Sequence, residues 1–148
     1  VERRFEVISN NIFNKGITLV DDYGHHPEEI KVTLETIDKV WKDNKKVVIF
    51  QPHRYSRTKA LFKEFVEILS EIDDLILLDV YPASENIIKG FESDDLLKAA
   101  NKKNNIIKAH GVEDALLKLK ELLNDHSLIL TQGAGNTSAL AKLISEHK

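Results

Sequence analysis

With 148 residues, 21 Lys+Arg against 24 Asp+Glu and a net charge of −3, the chain is mildly acidic and its charges are interspersed. That balance argues against a nucleic-acid or membrane-binding surface, and the length suits one domain, residues 1–148, with a substantial core. The absence of cysteine removes disulfide and thiolate chemistry and fits a reducing cytoplasm. No apolar run approaches the roughly 20 residues of a membrane span, and Val1-Glu2-Arg3-Arg4-Phe5 lacks the apolar stretch of a signal peptide. Having no methionine at all, the chain reads as an excised domain.

In chain order, a strand is predicted over Arg4 to Ser9, and Gly16 opens a second over Ile17-Thr18-Leu19-Val20. Pro27 stands where a helix would begin, with Glu28 and Glu29 matched to its dipole and Ile30, Leu34, Ile37 and Trp41 on one apolar stripe. Val47-Val48-Ile49-Phe50 reads as a buried strand, and Leu61, Phe62, Phe65 and Leu69 stripe the helix after it. Leu75-Ile76-Leu77-Leu78 is a third such run, followed by Tyr81-Pro82-Ala83-Ser84-Glu85 and a weaker helix from about Ser93 to Asn101. A short strand at Ile106-Ile107 precedes a helix carrying Ala115, Leu116, Leu119 and Leu123. Leu128-Ile129-Leu130-Thr131 then leads through Gly133-Ala134-Gly135-Asn136 to a last helix with Leu140, Leu143 and Ile144.

Apolar strands alternating with helices predict an α/β fold, a Rossmann-like and mostly parallel sheet with helices on both faces. The connection from Asn10 to Lys15 is shorter than the roughly dozen residues of a parallel crossover, so the first two strands could pair antiparallel at the edge.

Two clusters carry the chemistry. Asp21-Asp22-Tyr23-Gly24-His25-His26-Pro27 and Gln51-Pro52-His53-Arg54-Tyr55-Ser56-Arg57-Thr58 each follow a strand and precede a helix. Both therefore fall on the carboxyl edge of the sheet, where open α/β sheets bind ligands. Asp22 is placed to accept hydrogen bonds from ribose hydroxyls; alternatively, Asp21 or Asp22 caps the turn before Pro27. His25 and His26 are adjacent, point apart and lack a third ligand, so hydrogen bonding or base stacking suits them better than a metal, with ordinary loop histidines as the alternative.

If Ser56 is the N-cap, Arg57 lies in the first turn of a helix, where a cation opposes the macrodipole at a cost on the order of several tenths of a kcal/mol. An anion beside Arg54 and Arg57, a carboxylate or a phosphate, would account for the placement; a solvated basic face is the alternative. Gly133-Ala134-Gly135-Asn136 lacks the third glycine of a dinucleotide fingerprint. It reads as close strand-to-helix packing with Asn136 as N-cap, its backbone N–H groups available to a cleft. Tyr81 and Glu85 are either a wall of that cleft or an ordinary turn around Pro82. No Gly-x-x-x-x-Gly-Lys-Ser/Thr loop occurs, so the clamp for a nucleoside triphosphate would have to come from another domain.

Together with Val80-Tyr81-Pro82-Ala83 and Gln132-Gly133-Ala134-Gly135-Asn136, these clusters resemble the C-terminal domain of the Mur ligases of peptidoglycan synthesis. Arg3-Arg4-Phe5-Glu6 is similar to the start of that domain, so the likeness spans nearly the whole chain. The segment Gln51 to Thr58 resembles the branch that adds L-alanine to UDP-N-acetylmuramate rather than the related murein tripeptide ligase. Ser84 stands where that family usually has glycine, and Thr137 where it usually has isoleucine.

The resemblance implies a cytoplasmic, ATP-dependent, amide-forming ligase. Its UDP-sugar domain and its central P-loop domain, which holds the Mg2+ ligands, would lie outside this chain. ATP would phosphorylate the sugar nucleotide's carboxylate, and the amino acid's amine would attack the acyl phosphate. Carried over by motif, the resemblance implies that Asp22 holds the ATP ribose with Asp21 and His26 nearby. It implies that Tyr23, His25, Arg54 and Arg57 surround L-alanine, with the arginines on its carboxylate. A stand-alone nucleotide- or acidic-metabolite-binding module is the competing reading. A flavodoxin-like or dehydrogenase domain is disfavoured by the incomplete glycine fingerprint.

Overall fold

Strand β1 (Glu6–Ile12) turns back onto β2 (Ile17–Asp22) through Phe13 and Asn14, both in the left-handed region at φ 56° and 57°. The two pair antiparallel, from Glu6↔Asp21 to Ile12↔Ile17, and the register shifts twice along the way. The computed structural model describes residues 5–100 and 105–146; Arg4, given above to the first strand, and Asn101, given to the fourth helix, lie outside them. The strand that begins near Arg4 in the sequence reading thus runs from Glu6 to Ile12, mostly exposed along the edge of the sheet.

The remaining elements are α1 (Pro27–Val40), β3 (Lys46–Phe50), α2 (Tyr55–Ala60), α3 (Phe62–Leu69), β4 (Asp74–Leu78), α4 (Ser93–Ala100), β5 (Asn105–Ala109), α5 (Val112–Leu122), β6 (Leu128–Gln132) and α6 (Thr137–Glu146). The sheet order is β1-β2-β6-β3-β4-β5, and every pair except β1–β2 is parallel. The expected α/β architecture with an antiparallel edge pair is therefore the observed one.

Strand alternation sorts the core into two layers. Val20, Val48, Phe50, Leu75, Leu77, Leu128 and Leu130 face α1, α3 and α4, where Ile30, Ile37, Phe65, Leu69 and Leu96 cover them. Leu19, Val47, Ile49, Ile76, Leu78 and Ile129 face α5 and α6, under Ala115, Leu119, Leu140 and Ile144. Phe65 is fully buried, and truncating such a side chain to alanine costs about 3–5 kcal/mol.

One helix differs from its expected form. The single helix predicted after β3 is broken at Leu61, whose backbone (φ −118°, ψ 23°) ends α2 after six residues and starts α3. The break lets Leu61 and Phe62 rest half-buried against the core while Phe65, Ile68 and Leu69 reach the sheet.

Register fixes the position of the site. Asp22 and Phe50 both pair with Gln132, so β2, β6 and β3 end level with one another. The segments that follow these strands emerge side by side on the carboxyl edge.

Candidate functional site

Asp21 and Asp22 are the last two residues of β2, and their side chains leave on opposite faces of the sheet. Asp21 accepts the Thr131 hydroxyl at 2.6 Å. Asp22, 5 % exposed, is approached by four donors: Phe5 N at 2.8 Å on Oδ1, with Gly24 N at 3.0 Å, Gln132 Nε2 at 2.7 Å and Thr33 Oγ1 at 3.1 Å on Oδ2, the Thr33 hydroxyl sharing its one hydrogen with Glu29 O at 3.0 Å. A carboxylate offers about four lone-pair directions; Oδ2 is saturated and Oδ1 keeps one. The other Gln132 Nε2 hydrogen reaches Gly24 O at 2.7 Å, so the Asp22–Gln132 pair holds the start of the loop from Tyr23 to His26. A groove of about 400 Å3 lined by Phe5, Asp22, Val32, Thr33 and Thr36 opens beside it.

The two adjacent histidines do different work. His26 is the N-cap of α1: its Nδ1 accepts Glu28 N at 3.2 Å, and Glu29 Oε1 accepts the His26 N–H at 3.1 Å, completing a capping box in front of Pro27. His25, whose N–H also reaches Glu29 Oε1, turns its ring toward the second cluster. The rings of Tyr23, His25, His53 and Tyr81 form a continuous row, with centroids 5.4, 5.8 and 5.3 Å apart in that order.

The second cluster hangs on a backbone clasp between β3 and β4. Tyr81 N donates to Pro52 O at 2.8 Å and Arg54 N to Tyr81 O at 2.7 Å, bracketing His53. Arg54, not Ser56, is the N-cap of α2, and it stands at φ 76°, ψ 134°, a region L-residues avoid. Arg54 is exposed. Arg57 Nη1 lies 2.9 Å from His53 O and 3.1 Å from His53 Nδ1.

The start of α2 already has an anion, and it belongs to the chain. Glu85 Oε1 accepts Ser56 N and Oε2 accepts the Ser56 hydroxyl, and these bonds, helped by the nearby Tyr55 N–H and Arg54, hold the Glu85 carboxyl below its usual range. Arg57 in so short a helix therefore lies as much in its last turn as in its first. The macrodipole alone consequently does not call for an external anion. What remains for one is the pair of guanidiniums.

Gly133 and Gly135 bring β6 and α6 close to β3. Gly133 adopts φ 136°, and a Cβ on it would lie 2.8 Å from Gln51 O, while a Cβ on Gly135 would collide with Gln51 Oε1 and the Tyr81 ring. Gln51, 4 % exposed, spans the gap: Nε2 donates to Asp79 O at 3.0 Å and Oε1 accepts Asn136 N at 2.5 Å. Thr137 donates its hydroxyl to Gly133 O at 2.9 Å, an anchor that isoleucine at this position could not make. Ser84 stands at φ 72°, where glycine would be unstrained.

The structure thus brings Tyr23, His25, Arg54, Arg57, Tyr81, Glu85, Gly133, Gly135 and Asn136 to one edge with Asp21, Asp22 and His26 alongside. Sequence reasoning had not assigned roles to His53, Gln51 and Gln132. The signal for the two glutamines was their place at the ends of β3 and β6, where a buried amide must find several partners. Among the described residues no group of three or more His, Cys, Asp or Glu is placed to hold a metal, and no helix is long and apolar enough to cross a membrane.

Comparison with known proteins agrees with this architecture. The family profile described as "Mur ligase, glutamate ligase domain" matches residues 3–135. The UDP-N-acetylmuramate–L-alanine ligase of Hydrogenovibrio crunogenus is 47 % identical over 145 residues, covering 96 % of this chain and 32 % of that protein. Among solved structures, the UDP-N-acetylmuramate-alanine ligase of Thermotoga maritima superposes with a TM-score of 0.69 at 24 % identity, over 99 % of this chain and 30 % of that one. A murein peptide ligase from Psychrobacter arcticus superposes at 0.71 and 18 % identity, over 97 % of this chain and 29 % of that one. The chain spans about a third of the length of these relatives. Matched by the profile over most of its length, the chain belongs to the Mur ligase family, as the domain that the profile describes.

Proposed function

We propose that this chain is the amino-acid-binding and nucleotide-closing part of a cytoplasmic, ATP-dependent ligase that adds L-alanine to UDP-N-acetylmuramate. The observation that carries the reading is Arg57 held against His53 on the carboxyl edge of the sheet, with the His25 ring 5.8 Å from that of His53 and Arg54, three residues before Arg57, held in a strained backbone conformation. Strain of this kind is retained where a side chain must be presented in one direction. Two planar guanidiniums match a carboxylate. The 47 % identity to an L-alanine-adding ligase supports alanine as the amino acid.

Joining a carboxylate to an amine requires the carboxylate to be activated and the amine to be held close to it. In the proposed reaction ATP transfers its terminal phosphoryl group to the sugar nucleotide's carboxylate, and the alanine amine displaces phosphate to form the amide. This chain's share is to fix the alanine carboxylate on Arg54 and Arg57 so that the amine points away from the sheet edge. Tyr23 and His25 flank it. Asp22 Oδ1, with its remaining lone pair, accepts a ribose hydroxyl of ATP in the groove beside Phe5, with Asp21 and His26 bordering it. Mg2+ would compensate phosphate charge when bound, on ligands outside the residues described here.

The reading makes the domain necessary but not sufficient. Residues 1–148 alone should show no ligase turnover and at most weak ATP binding through base and ribose, because the sequence contains no P-loop motif with which to clamp a triphosphate. Release of phosphate by the purified chain that depended on both L-alanine and UDP-N-acetylmuramate would overturn this division of labour. Binding of ATP or an acidic metabolite with no ligation by the longer protein would favour the stand-alone module.

A further inference from the structure

His53 lies where the two clusters meet. Its backbone is clamped by the Pro52–Tyr81 and Arg54–Tyr81 hydrogen bonds, and its ring stacks on Tyr81 at 5.3 Å with planes 10° apart. Arg57 Nη1 approaches both His53 O at 2.9 Å and His53 Nδ1 at 3.1 Å. A guanidinium can only donate, so Nδ1 must present a bare lone pair and the imidazole proton must sit on Nε2. Both Nη1 hydrogens of Arg57 are then consumed by a single residue. The Nε–Nη2 edge is left, and that edge binds a carboxylate through two parallel bonds.

The charges around the ring favour its neutral form. Arg57 and Arg54 on α2 and its cap are cationic, and the ring of His25 in the β2–α1 loop lies 5.8 Å from that of His53. Glu85 of the β4–α4 loop is the one carboxylate acting in the opposite sense, and it is already engaged with Ser56. Burial, then Arg57, His25 and Arg54 in that order, hold His53 below its ordinary 6.5.

We propose that His53 is a positioning residue of the amino-acid site: as the neutral Nε2–H tautomer it holds the Arg57 guanidinium by one edge and aims the other at the substrate carboxylate. The proposal rests on the amino-acid site proposed above. Protonation at Nδ1 removes the acceptor, places a second cation against Arg57 and frees the guanidinium to swing into solvent. Affinity for the amino acid then falls in acid while affinity for ATP does not. No proton is transferred to substrate in this role, and the ring need not touch it.

Two measurements test the inference. Long-range 1H–15N correlation spectra of the 148-residue chain should show an acceptor-type Nδ1 and a protonated Nε2 for His53 at neutral pH. The ring should titrate below 6.5 in the native chain and closer to 6.5 in Arg57→Ala. A proton on Nδ1 at neutral pH, or a titration indifferent to Arg57→Ala, overturns the proposal. This arm needs no substrate, so it decides the His53–Arg57 relation even if the ligase reading fails.

In the longer protein that carries this chain, KM for L-alanine should rise between about pH 7.5 and about pH 5.5 by several-fold, and by less than about tenfold because His53 titrates below 6.5, beyond whatever rise protonation of the substrate's own amine gives, with KM for ATP level. His53→Asn supplies an amide oxygen near the place of Nδ1 and cannot titrate, so it should flatten that acid limb. His53→Phe keeps the stack on Tyr81 but offers no acceptor, and should raise KM for alanine at every pH, with Asn restoring part of the loss. An acid limb that persists unchanged in His53→Asn, or equal effects of Asn and Phe, contradicts the proposal.

Discussion

Glu85 holds Ser56 by two hydrogen bonds, Oε1 accepting the backbone N–H at 3.0 Å and Oε2 the hydroxyl at 2.5 Å. The contact ties the β4–α4 connection to the start of α2 across 29 residues of sequence and gives that helix its N-terminal anion. Glu85→Ala should therefore loosen both segments and lower the urea midpoint at neutral pH. Because the folded carboxyl lies below its ordinary 4.5, its contribution is present in full above 4.5 and is lost as pH falls through the lower folded value. Native and variant midpoints should converge in acid. A gap that stayed constant through that range would show that the charge is irrelevant.

Asp22 is expected to be intolerant of even its amide. In Asp22→Asn one acceptor oxygen becomes an NH2 facing donors from Gly24, Thr33 and Gln132 or from Phe5. A loss of roughly 1.5–3 kcal/mol in unfolding free energy is expected, read from urea denaturation. In the longer protein, under conditions where the variant remains folded, KM for ATP should rise while that for alanine holds. Unchanged stability would mean that the four bonds do not persist in solution.

Arg54 separates strain from function. Replacing it with glycine removes the side chain at φ 76°, ψ 134° and should stabilise the fold by about 1 kcal/mol, seen as a higher melting temperature. The same change should weaken alanine use. A variant that is both more stable and fully active would take Arg54 out of the amino-acid site.

Ser84 also has a positive φ, in a loop to which no substrate contact is assigned. At φ 72° in the loop between Tyr81 and Glu85, Ser84→Gly should gain stability on the order of 1 kcal/mol by thermal unfolding, with alanine kinetics near native. Destabilisation would show that the serine side chain has an anchoring role.

Much of this was legible in the sequence because it rests on local pattern. The apolar runs at Val47–Phe50 and Leu75–Leu78, with intervening helix stripes, specify a buried parallel sheet, and Pro27 with Glu28 and Glu29 marks the start of α1. The brevity of the connection expected from Asn10 to Lys15 pointed to the antiparallel edge, and the observed link between β1 and β2 is shorter still, residues 13–16. What escaped was non-local. The break at Leu61 depends on how α3 meets the sheet, and the strained cap at Arg54 depends on the clasp to Tyr81. Glu85 reaches Ser56 only once β3 and β4 lie side by side. The same holds for Gln132 under Asp22 and for Gln51 beneath Gly135, since an amide's partners 85 to 110 residues away leave no trace in spacing.

The most direct test of the account is a kinetic comparison of native and Arg57→Ala forms of the longer protein carrying these residues, assayed for ATP-dependent joining of L-alanine to UDP-N-acetylmuramate. Loss of a charge-assisted carboxylate contact worth roughly 1.5–3 kcal/mol predicts a rise of about tenfold or more in KM for alanine. KM for ATP should be nearly unchanged. No ligation by the native protein, or an equal change in both constants, would contradict the placement of the amino-acid carboxylate on this edge of the sheet.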